Sequence, residues 1–596
     1  MHPPTPIRSL LLTLATALAT STTALAGTIY VDAGLASGAN DGSTWANAFQ
    51  GSGGLQLALA AAGPGDQVWV ADGTYVPTAT ATRTISFNLE SGVEIYGGFA
   101  GGEVALSQRD PATNVAVLSG DLLGNDGGGM LGENSFHVVR GSGANATAVL
   151  DGFTVSGGNA NGSSATDDDR GGGFLLVLGE SATIRSCLVT GNRCTFGGGA
   201  GYIRTSGSTF TACRFVSNVG GSFGGAFDMA NNVTAEFRRC EFRSNSAARA
   251  GGIEIFGGST TKVYDCLFTG NLSTGAGGGG AIFISGSAAS VRGCTVTGNT
   301  SNVNATAGIL ISGAGSPTVA NTIVYFNSGP GGAQGATNQI AGAAIVSYSC
   351  VQGGVAGTGN ISGNPLFTNA GGGDFTLAAG SPGADAGNNA AVPAVSVIDL
   401  AGQVRIADDP TAPDTGAGTR PIVDMGAYER ANGLYETFCY GDGSLPTGCP
   451  CGNNAGATHG CLNSDPFSTG GVAWAAGASS PDTVVIAGRE ILPSVTCIFL
   501  QGNASIASGV PFGDGVRCVA GSLKRLYVKS VDANGDVQAP GLGDLSITAR
   551  SAMAGDPIAP GTDRYYQIWY RDSDPNFCPA PTGNTWNASA GVVVSW

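Results

Sequence analysis

The chain has 596 residues, of which 100 are glycine, and acidic residues outnumber basic ones 42 to 26, a net charge of −16. That charge excludes a nucleic-acid-binding protein held by phosphate contacts, which needs a basic surface, and it disfavours docking on an anionic membrane. Because each glycine costs about 1 kcal/mol in a helix interior, the composition predicts a large, acidic β protein rather than a helical one.

The first 26 residues have the features of a cleaved secretory signal peptide. Arg8 provides the positive charge, Leu10 to Leu18 the apolar stretch, and Ala24 and Ala26 the small residues of the cleavage site. The apolar stretch is shorter than the roughly 20 residues of a membrane-spanning helix, and no later segment is a better candidate. We therefore predict an extracellular or cell-surface protein with no transmembrane helix in the mature chain, exported to a compartment that permits disulfides.

Residues 27–64 are predicted to form an N-terminal cap, and residues 65–360 a solenoid. Within the cap, Leu55 to Ala61 has the pattern of an amphipathic helix that covers the exposed edge of the first coil. The solenoid itself is indicated by an internal repeat, because self-similarity at a fixed period is the signature of stacked structural units.

The repeat is defined by a cysteine and, five residues after it, an asparagine. Its cysteines are Cys187, Cys213, Cys240, Cys266 and Cys294, and its asparagines are Asn192, Asn218, Asn245, Asn271 and Asn299. Apolar residues stand three positions before and two positions after each cysteine, and a glycine-rich turn and a short alternating strand follow each asparagine.

Short strands of period two that are broken at fixed places by Gly or Asn predict one coil of strands and turns per repeat. A single coil cannot bury its apolar residues, so coils stack and like residues lie on like. The asparagines are expected at a left-handed turn position, with each amide bonded to the amide in the next coil. The cysteines are expected to point inward as buried free thiols, with bridging between neighbouring coils as the alternative.

These repeats resemble those of a known family. Phe-Val-Ser-Asn218, Phe-Arg-Ser-Asn245 and Phe-Thr-Gly-Asn271, with Gly-Gly-Ala-Phe227 and Gly-Gly-Ala-Ile282, are similar to the FxxN and GGA[ILV] repeats of polymorphic outer-membrane proteins. The resemblance implies a surface-exposed, right-handed parallel β-helix with a role in adhesion.

Residues 361–432 are predicted to form a terminal β-helix segment. Asn364-Pro-Leu-Phe367, Asp374-Phe-Thr-Leu377 and Asp424-Met-Gly-Ala-Tyr-Glu429 resemble the end of β-helix proteins that carry a choice-of-anchor domain. A change of composition after Arg430 marks a further domain, residues 433–596, which resembles a cysteine-containing C-terminal module of exported bacterial proteins and has the short strands of a β-sandwich.

Seven cysteines of this last domain are candidates for disulfides: Cys439, Cys449, Cys451, Cys461, Cys497, Cys518 and Cys578. Because seven is odd, one thiol is left over. A zinc site is the alternative for four residues of this domain: Cys449, Cys451, His459 and Cys461. Their spacing differs from the CxxC pairs that are typical of zinc sites, and in an exported chain such cysteines are more often oxidised. The predicted fold class is therefore all-β, a right-handed parallel β-helix followed by a small disulfide-containing β-sandwich-like domain.

The sequence contains only weak candidates for catalytic residues. Stacking of the coils places Tyr202, Asp228 and Glu254 in one outward column, with Arg204 beside it. The carboxylates of Asp228 and Glu254 would then be about 5 Å apart, the separation that retaining glycosidases use. Phe283 and Leu310 continue that column, so a mixed outward face is equally consistent, and no catalytic residue is assigned.

Asp167, Asp168 and Asp169 form the one acidic run; they are calcium candidates, with a solvated loop as the alternative. No other cofactor is implied.

The sequence favours a secreted or cell-surface protein with a non-catalytic binding, adhesion or structural role, whose partner is a surface glycan or a protein and not a nucleic acid. The alternative is a carbohydrate-active enzyme, a polysaccharide lyase or glycoside hydrolase of the β-helix type. The two differ in one respect that a structure can address: an enzyme needs a groove with converging ionisable groups.

Overall fold

The computed structural model describes residues 27–407, 409, 412–419, 421–430, 437–456, 459–465, 469–477, 479–574, 577–578 and 585–596. The predicted signal peptide lies outside these residues. No helix in the described part of the chain is long and apolar enough to cross a membrane.

Three parallel sheets run along the central part of the chain. Sheet A contains Phe49–Gln50, Thr28–Asp32, Gln67–Ala71, Glu94–Phe99, Val149–Asp151, Thr183–Arg185, Thr209–Thr211, Glu236–Arg238, Lys262–Tyr264, Ser290–Arg292, Thr318–Ala320 and Ile345–Ser347. Sheet B contains Gly73–Tyr75, Ala116–Ser119, Phe153–Ser156, Leu188–Thr190, Arg214–Val216, Glu241–Arg243, Leu267–Thr269, Thr295–Thr297, Ile323–Tyr325 and Cys350–Val351. Sheet C contains Phe87–Leu89, Val139–Ser142, Phe174–Val177, Gly201–Arg204, Phe227–Ala230, Ile253–Phe256, Ile282–Ser285, Ile309–Ser312 and Ile340–Ala341.

Each coil contributes one strand to sheet C, then one to sheet A, then one to sheet B, and returns to sheet C through a longer turn. Two-residue strands in these return turns pair with their neighbours: Asn159–Ala160 with Arg193–Cys194, Ser246–Ala247 with Leu272–Ser273, and Leu272–Ser273 with Thr300–Ser301. The helix Gly54–Ala61 buries Leu55 and Ala58 against the first coil, where the sequence predicts a cap. The short helix Ala336–Gln339 precedes the last strand of sheet C.

The core of the solenoid consists of inward side chains that lie one above another in successive coils. Phe210 stacks on Phe237 with ring centroids 4.8 Å apart, and Phe242 stacks on Phe268 at 4.4 Å. Such columns arise because strands alternate inward and outward residues, and a repeat of constant length puts the same position above its equivalent. The five cysteines of the repeat form another inward column, all buried and free, as are Cys194 and Cys350.

The backbone at the asparagines differs from the expectation. The left-handed residue of this turn is the one before each asparagine, for example Ser217 with φ 56° and Ser244 with φ 54°, and the equivalent positions in three other coils are glycines. The expectation that the asparagines themselves adopt the left-handed conformation is therefore wrong. The preceding Ser or Gly reverses the chain and leaves the asparagine amide free to point along the stack.

The described residues of the segment 361–430 include several that lie against the outer face of sheet B. The backbone N–H of Ala427 donates to Thr295 Oγ1 at 3.0 Å, and Gly426 packs on Ile323. Arg405, 1% exposed, anchors this segment: it donates to Asp265 Oδ1 in the solenoid at 2.9 Å and forms an ion pair with Glu429. A short antiparallel pair, Phe367–Asn369 and Asp374–Leu377, lies in the same segment.

The C-terminal domain contains antiparallel sheets that share a core. The strands are Thr437–Phe438, Trp586–Ser595, Asp563–Arg571, Thr496–Gly502 and Lys524–Ser530 in one sheet, Val472–Ala476, Val485–Arg489 and Val537–Ala539 in a second, and the hairpin Ala504–Phe512 with Gly515–Ala520. The helix Ile547–Met553 packs beside them. Disulfides join Cys439 to Cys518, Cys449 to Cys461 and Cys451 to Cys578, which leaves Cys497 as the unpaired thiol.

The predicted disulfides of this domain are thus confirmed, and the cysteines of the alternative zinc site are all oxidised. The all-β architecture, a parallel β-helix followed by a disulfide-containing β domain, is confirmed as well. The predicted limits of the individual domains stay a prediction.

Candidate functional site

The weak catalytic candidates of the sequence lie next to one another in sheet C. Tyr202 pairs with Asp228, and Asp228 with Glu254, as cross-strand neighbours on the outward face. Their exposed fractions are only 2%, 1% and 0%. The outward column is therefore present, but the expectation that it faces solvent is wrong.

The column is buried because the return turn folds back across the outer face of sheet C. Gly197 of this turn lies directly against Asp228, and a Cβ added at Gly197 would be 2.1 Å from Oδ2 of that carboxylate. In the next coil Arg249 lies over the rings of Phe223 and Phe283, at 4.3 and 4.8 Å from their centroids. A substrate has no access to this column without displacing these turns.

The charges of the column are matched within the protein. Arg249 forms a bidentate pair with Glu254, its Nε 3.0 Å from Oε2. Burial raises the pKa of Glu254, and the pairing with Arg249 opposes the rise. Burial, and then the charge of Glu254, raise the pKa of Asp228 well above its usual range. Asp228 and the paired Glu254 therefore form a buried structural network.

The acidic run between residues 167 and 169 is also matched by protein cations. Asp167 accepts two hydrogen bonds from Arg204, at 3.0 and 2.7 Å, and Asp169 accepts one from Arg170 at 2.9 Å. Asp168 accepts from Thr166 Oγ1 at 2.6 Å, and its Oδ1 lies 3.5 Å from Nε2 of the buried His137. Because arginines occupy this loop, it is a poor place for a calcium ion, and calcium at these residues stays an untested prediction.

The asparagines of the repeat form a continuous ladder of amides. In each rung the side-chain Nδ2 and the backbone N–H donate to Oδ1 of the asparagine in the next coil, at 3.0 Å for both bonds from Asn245 to Asn271. Each amide also donates to a backbone carbonyl, that of Phe215 for Asn245, at 2.8 Å. All five side chains are fully buried.

The ladder is longer than the sequence analysis supposed. Asn299 donates to Asn327, and Asn327 donates to Gln339 Oε1 at 2.8 Å, which ends the column. The signal for Asn327 was present, because Thr322 stands five residues before it where the other coils have cysteine. A repeat defined by its cysteine therefore does not include this coil.

A second acidic cluster was missed in the sequence. Asp121, Asp126 and Glu133 each place a carboxylate oxygen so that the three oxygens lie within 4.8 Å of one another. These are the residues in the described chain that could hold a metal ion. The sequence signal was a pair of acids and amides, Asn125-Asp126 and Glu133-Asn134, in a loop without repeat character.

An open aromatic cleft lies on the C-terminal domain. Phe512 stands between Trp569 and Trp586, with ring centroids 4.0 and 6.0 Å away. The cleft has a volume of about 570 Å³ and is lined by these three rings together with Thr496, Ile498, Arg525, Tyr570 and Arg571. Volumes of this order are typical of small-molecule and sugar sites.

The charge of this cleft is opposite to that of the chain. Its charged lining residues are Arg525 and Arg571, both exposed, and no acidic side chain contributes to the lining. Within the described residues neither guanidinium has a carboxylate partner; Arg571 donates to Thr585 Oγ1 at 3.1 Å. The alternation of Trp569 and Arg571 in one strand was the sequence signal for a shared outward face.

The chain was compared with known families and structures. Residues 138–349 match a family model described as a right handed beta helix region. The central part of the chain is a right-handed parallel β-helix. Among solved structures, the chain is similar to the crystal structure of pectate lyase Pel9A, with 16% identity, a TM-score of 0.35, and coverage of 69% of this chain and 98% of that chain.

That similarity is too low to carry an argument about activity. No curated protein matches the chain. The resemblances to polymorphic outer-membrane repeats and to a choice-of-anchor segment stay predictions.

Proposed function

We propose that the chain is a non-catalytic, extracellular or cell-surface protein that binds acidic polysaccharide in the aromatic cleft of its C-terminal domain. The β-helix is then a rigid carrier that holds this domain and serves adhesion to a glycan-coated surface. The observation that supports the proposal most is the exposure of two arginines beside three aromatic rings, neither of them ion-paired within the described residues, in a chain with a net charge of −16.

The chemistry of the cleft suits a polyuronate. The faces of Trp569 and Trp586 offer apolar, electron-rich surfaces to the C–H faces of sugar rings. Arg525 and Arg571 offer planar guanidinium groups, which bind carboxylates through two parallel hydrogen bonds. A neutral sugar would use the rings alone, so the arginines favour an acidic one.

The non-catalytic part of the proposal is supported by the state of the sheet C column. Asp228 and Glu254 are covered by turns, and Glu254 is paired with Arg249. Catalysis by a carboxylate pair requires access to the substrate and one ionised and one protonated acid in contact with it. The export of the chain is supported by the three disulfides, which form in oxidising compartments.

The test compares binding of alginate with binding of its propylene glycol ester, in which the carboxylates are blocked. Titration calorimetry on the mature chain should show tighter binding of alginate by at least tenfold, and the difference should shrink with added salt because the arginine contacts are screened. Trp569→Ala should weaken binding by about 30-fold, equivalent to about 2 kcal/mol for a central aromatic contact.

Two control variants keep the test specific. Val528→Ala changes an apolar side chain that is 64% exposed on the same sheet, and Arg214→Ala removes an exposed arginine of the β-helix. Both should bind alginate as the unmodified chain does. Absence of binding, or equal binding by Trp569→Ala, would overturn the site. Release of new reducing ends or unsaturated products from alginate would overturn the non-catalytic assignment.

A further inference from the structure

The loop between the sheet B strand Ala116–Ser119 and the sheet C strand Val139–Ser142 gathers three carboxylates in a small volume. Oxygens of Asp121, Asp126 and Glu133 lie within 4.8 Å of one another. In the described part of the chain none of these carboxylates has an ion pair with a lysine or arginine; Arg83 nearby donates instead to the carbonyl of Asn134, at 2.6 Å. Arg83 lies close enough to Glu133, and Arg193 to Asp126, to balance part of the negative charge, and the three carboxylates alone identify no ligand.

A second, independent feature of this loop is a set of buried oxygens that accept no hydrogen bond. Oδ1 of Asn134 is one of them, on a side chain that is 1% exposed. Oδ1 of Asn125, Oδ1 of Asp126 and Oε1 of Glu133 are buried without a donor in the same loop. Buried polar atoms are nearly always paired, and an unpaired one costs about 1 to 3 kcal/mol. Four buried acceptors without donors in one loop indicate a missing positive partner.

The oxygens are held in position by the surrounding backbone. Asp121 accepts the backbone N–H groups of Asn125 at 3.0 Å and Asp126 at 3.1 Å. Asn134 donates its Nδ2 to Asp126 Oδ2 at 3.1 Å and to the carbonyl of Gly157, in the next coil, at 2.7 Å. The Asn134 side chain is therefore held against Asp126 through its Nδ2, and its amide oxygen is left without a donor.

We propose that Asp121, Asn125, Asp126, Glu133 and Asn134 form a Ca²⁺ site. Calcium takes six to eight oxygen ligands, from carboxylates and amide carbonyls, in a flexible geometry. Zinc sites in proteins are built mainly from His nitrogen and Cys sulfur, and the cluster offers neither. Magnesium demands a near-ideal octahedron and keeps several waters, so a set of five side-chain oxygens favours the larger ion.

Binding would order the loop against the solenoid. The ligands precede the strand Val139–Ser142, and the loop is tied to the following coil through Asn134 and through Asn159, whose Nδ2 donates to the carbonyl of Leu131 at 2.7 Å. A calcium ion here would fix the chain between the second and third coils, at a place where the turn is long. The inference stands independently of glycan binding in the C-terminal domain.

The test is calorimetric titration of the mature, chelator-treated chain with CaCl₂, and with MgCl₂ in parallel. One calcium ion should bind per chain, with a dissociation constant between micromolar and millimolar, and the melting temperature should rise on binding. Asp126→Asn and Glu133→Gln, which keep the size of the side chains, should each weaken calcium binding at least tenfold.

Asp168→Asn is the matched control, because it removes an acid from the arginine-rich loop that the sequence suggested for calcium. Its affinity for calcium should be unchanged. Loss of binding in Asp168→Asn with retention in Glu133→Gln would overturn the site, as would equal affinity for magnesium. No binding at millimolar calcium would also overturn it. Circular dichroism of each variant establishes that it is folded.

Discussion

The asparagine ladder permits a prediction whose size follows from the structure. Replacing Asn245 by Ala removes the acceptor of the backbone N–H of Asn218, 3.0 Å away, and the donor to the carbonyl of Phe215. Both groups are buried, and each loss costs about 1 to 3 kcal/mol. Because the left-handed residue is Ser244, alanine at 245 adds no backbone strain. The free energy of unfolding should therefore fall by about 2 to 6 kcal/mol.

The assay is urea-induced unfolding followed by far-ultraviolet circular dichroism, with Arg243→Ala as the control. Arg243 lies two residues earlier in the same coil and forms a partly exposed pair with Glu241, so its loss should change stability by only about 0.5 kcal/mol. Equal urea midpoints for the two variants would refute the ladder as a source of stability. Gln339→Ala, which removes the last member of the column, should also destabilise the chain, because it leaves the backbone N–H of Asn327 without its acceptor.

Three further predictions concern other buried groups. Because burial raises the pKa of Asp228, the stability that this acid contributes is complete below the unfolded pKa of about 3.9 and is lost as the pH rises towards the folded pKa. Asp228→Asn should therefore be as stable as the unmodified chain at pH 4 and become more stable than it at higher pH, by about 1.4 kcal/mol per pH unit between the two pKa values. A difference in the free energy of unfolding, measured by urea unfolding, that stays constant from about pH 4 to 8 would contradict this. Arg405→Ala should lower the free energy of unfolding by about 3 to 5 kcal/mol, because Asp265 and Glu429 lose their buried partner. It should also make residues 361–430 sensitive to limited proteolysis, and an unchanged digestion pattern would contradict the role of Arg405 as the anchor of this segment. Thiol titration in denaturant should find eight free thiols before reduction and all 14 after it. Two or four fewer thiols before reduction would indicate one or two bridges within the cysteine column.

The sequence alone determined the architecture of the solenoid. The period of the cysteines and asparagines predicted stacked coils, the inward columns and the amide ladder, because neighbouring coils meet at equivalent positions whenever the repeat length is constant. It also predicted that the cysteines of the C-terminal domain form disulfides with one thiol left over, since their number is odd and the sequence predicts export.

Only the tertiary structure decided which outward residues solvent can reach. Asp228 and Glu254 were correctly placed in one column, but the period carries no information on the path of the return turn that covers them. The residues of the proposed calcium site are equally hidden in the sequence, because Asp121 and Glu133 lie 12 residues apart in a loop outside the repeat. The pairing of Cys451 with Cys578 and the meeting of Phe512 with Trp586 depend on how distant strands of the C-terminal domain come together. Contacts between neighbouring coils follow from the constant spacing of the repeat. The burial of the sheet C column, the acidic cluster and the contacts of the C-terminal domain depend instead on the path of the turns and on how whole segments pack together.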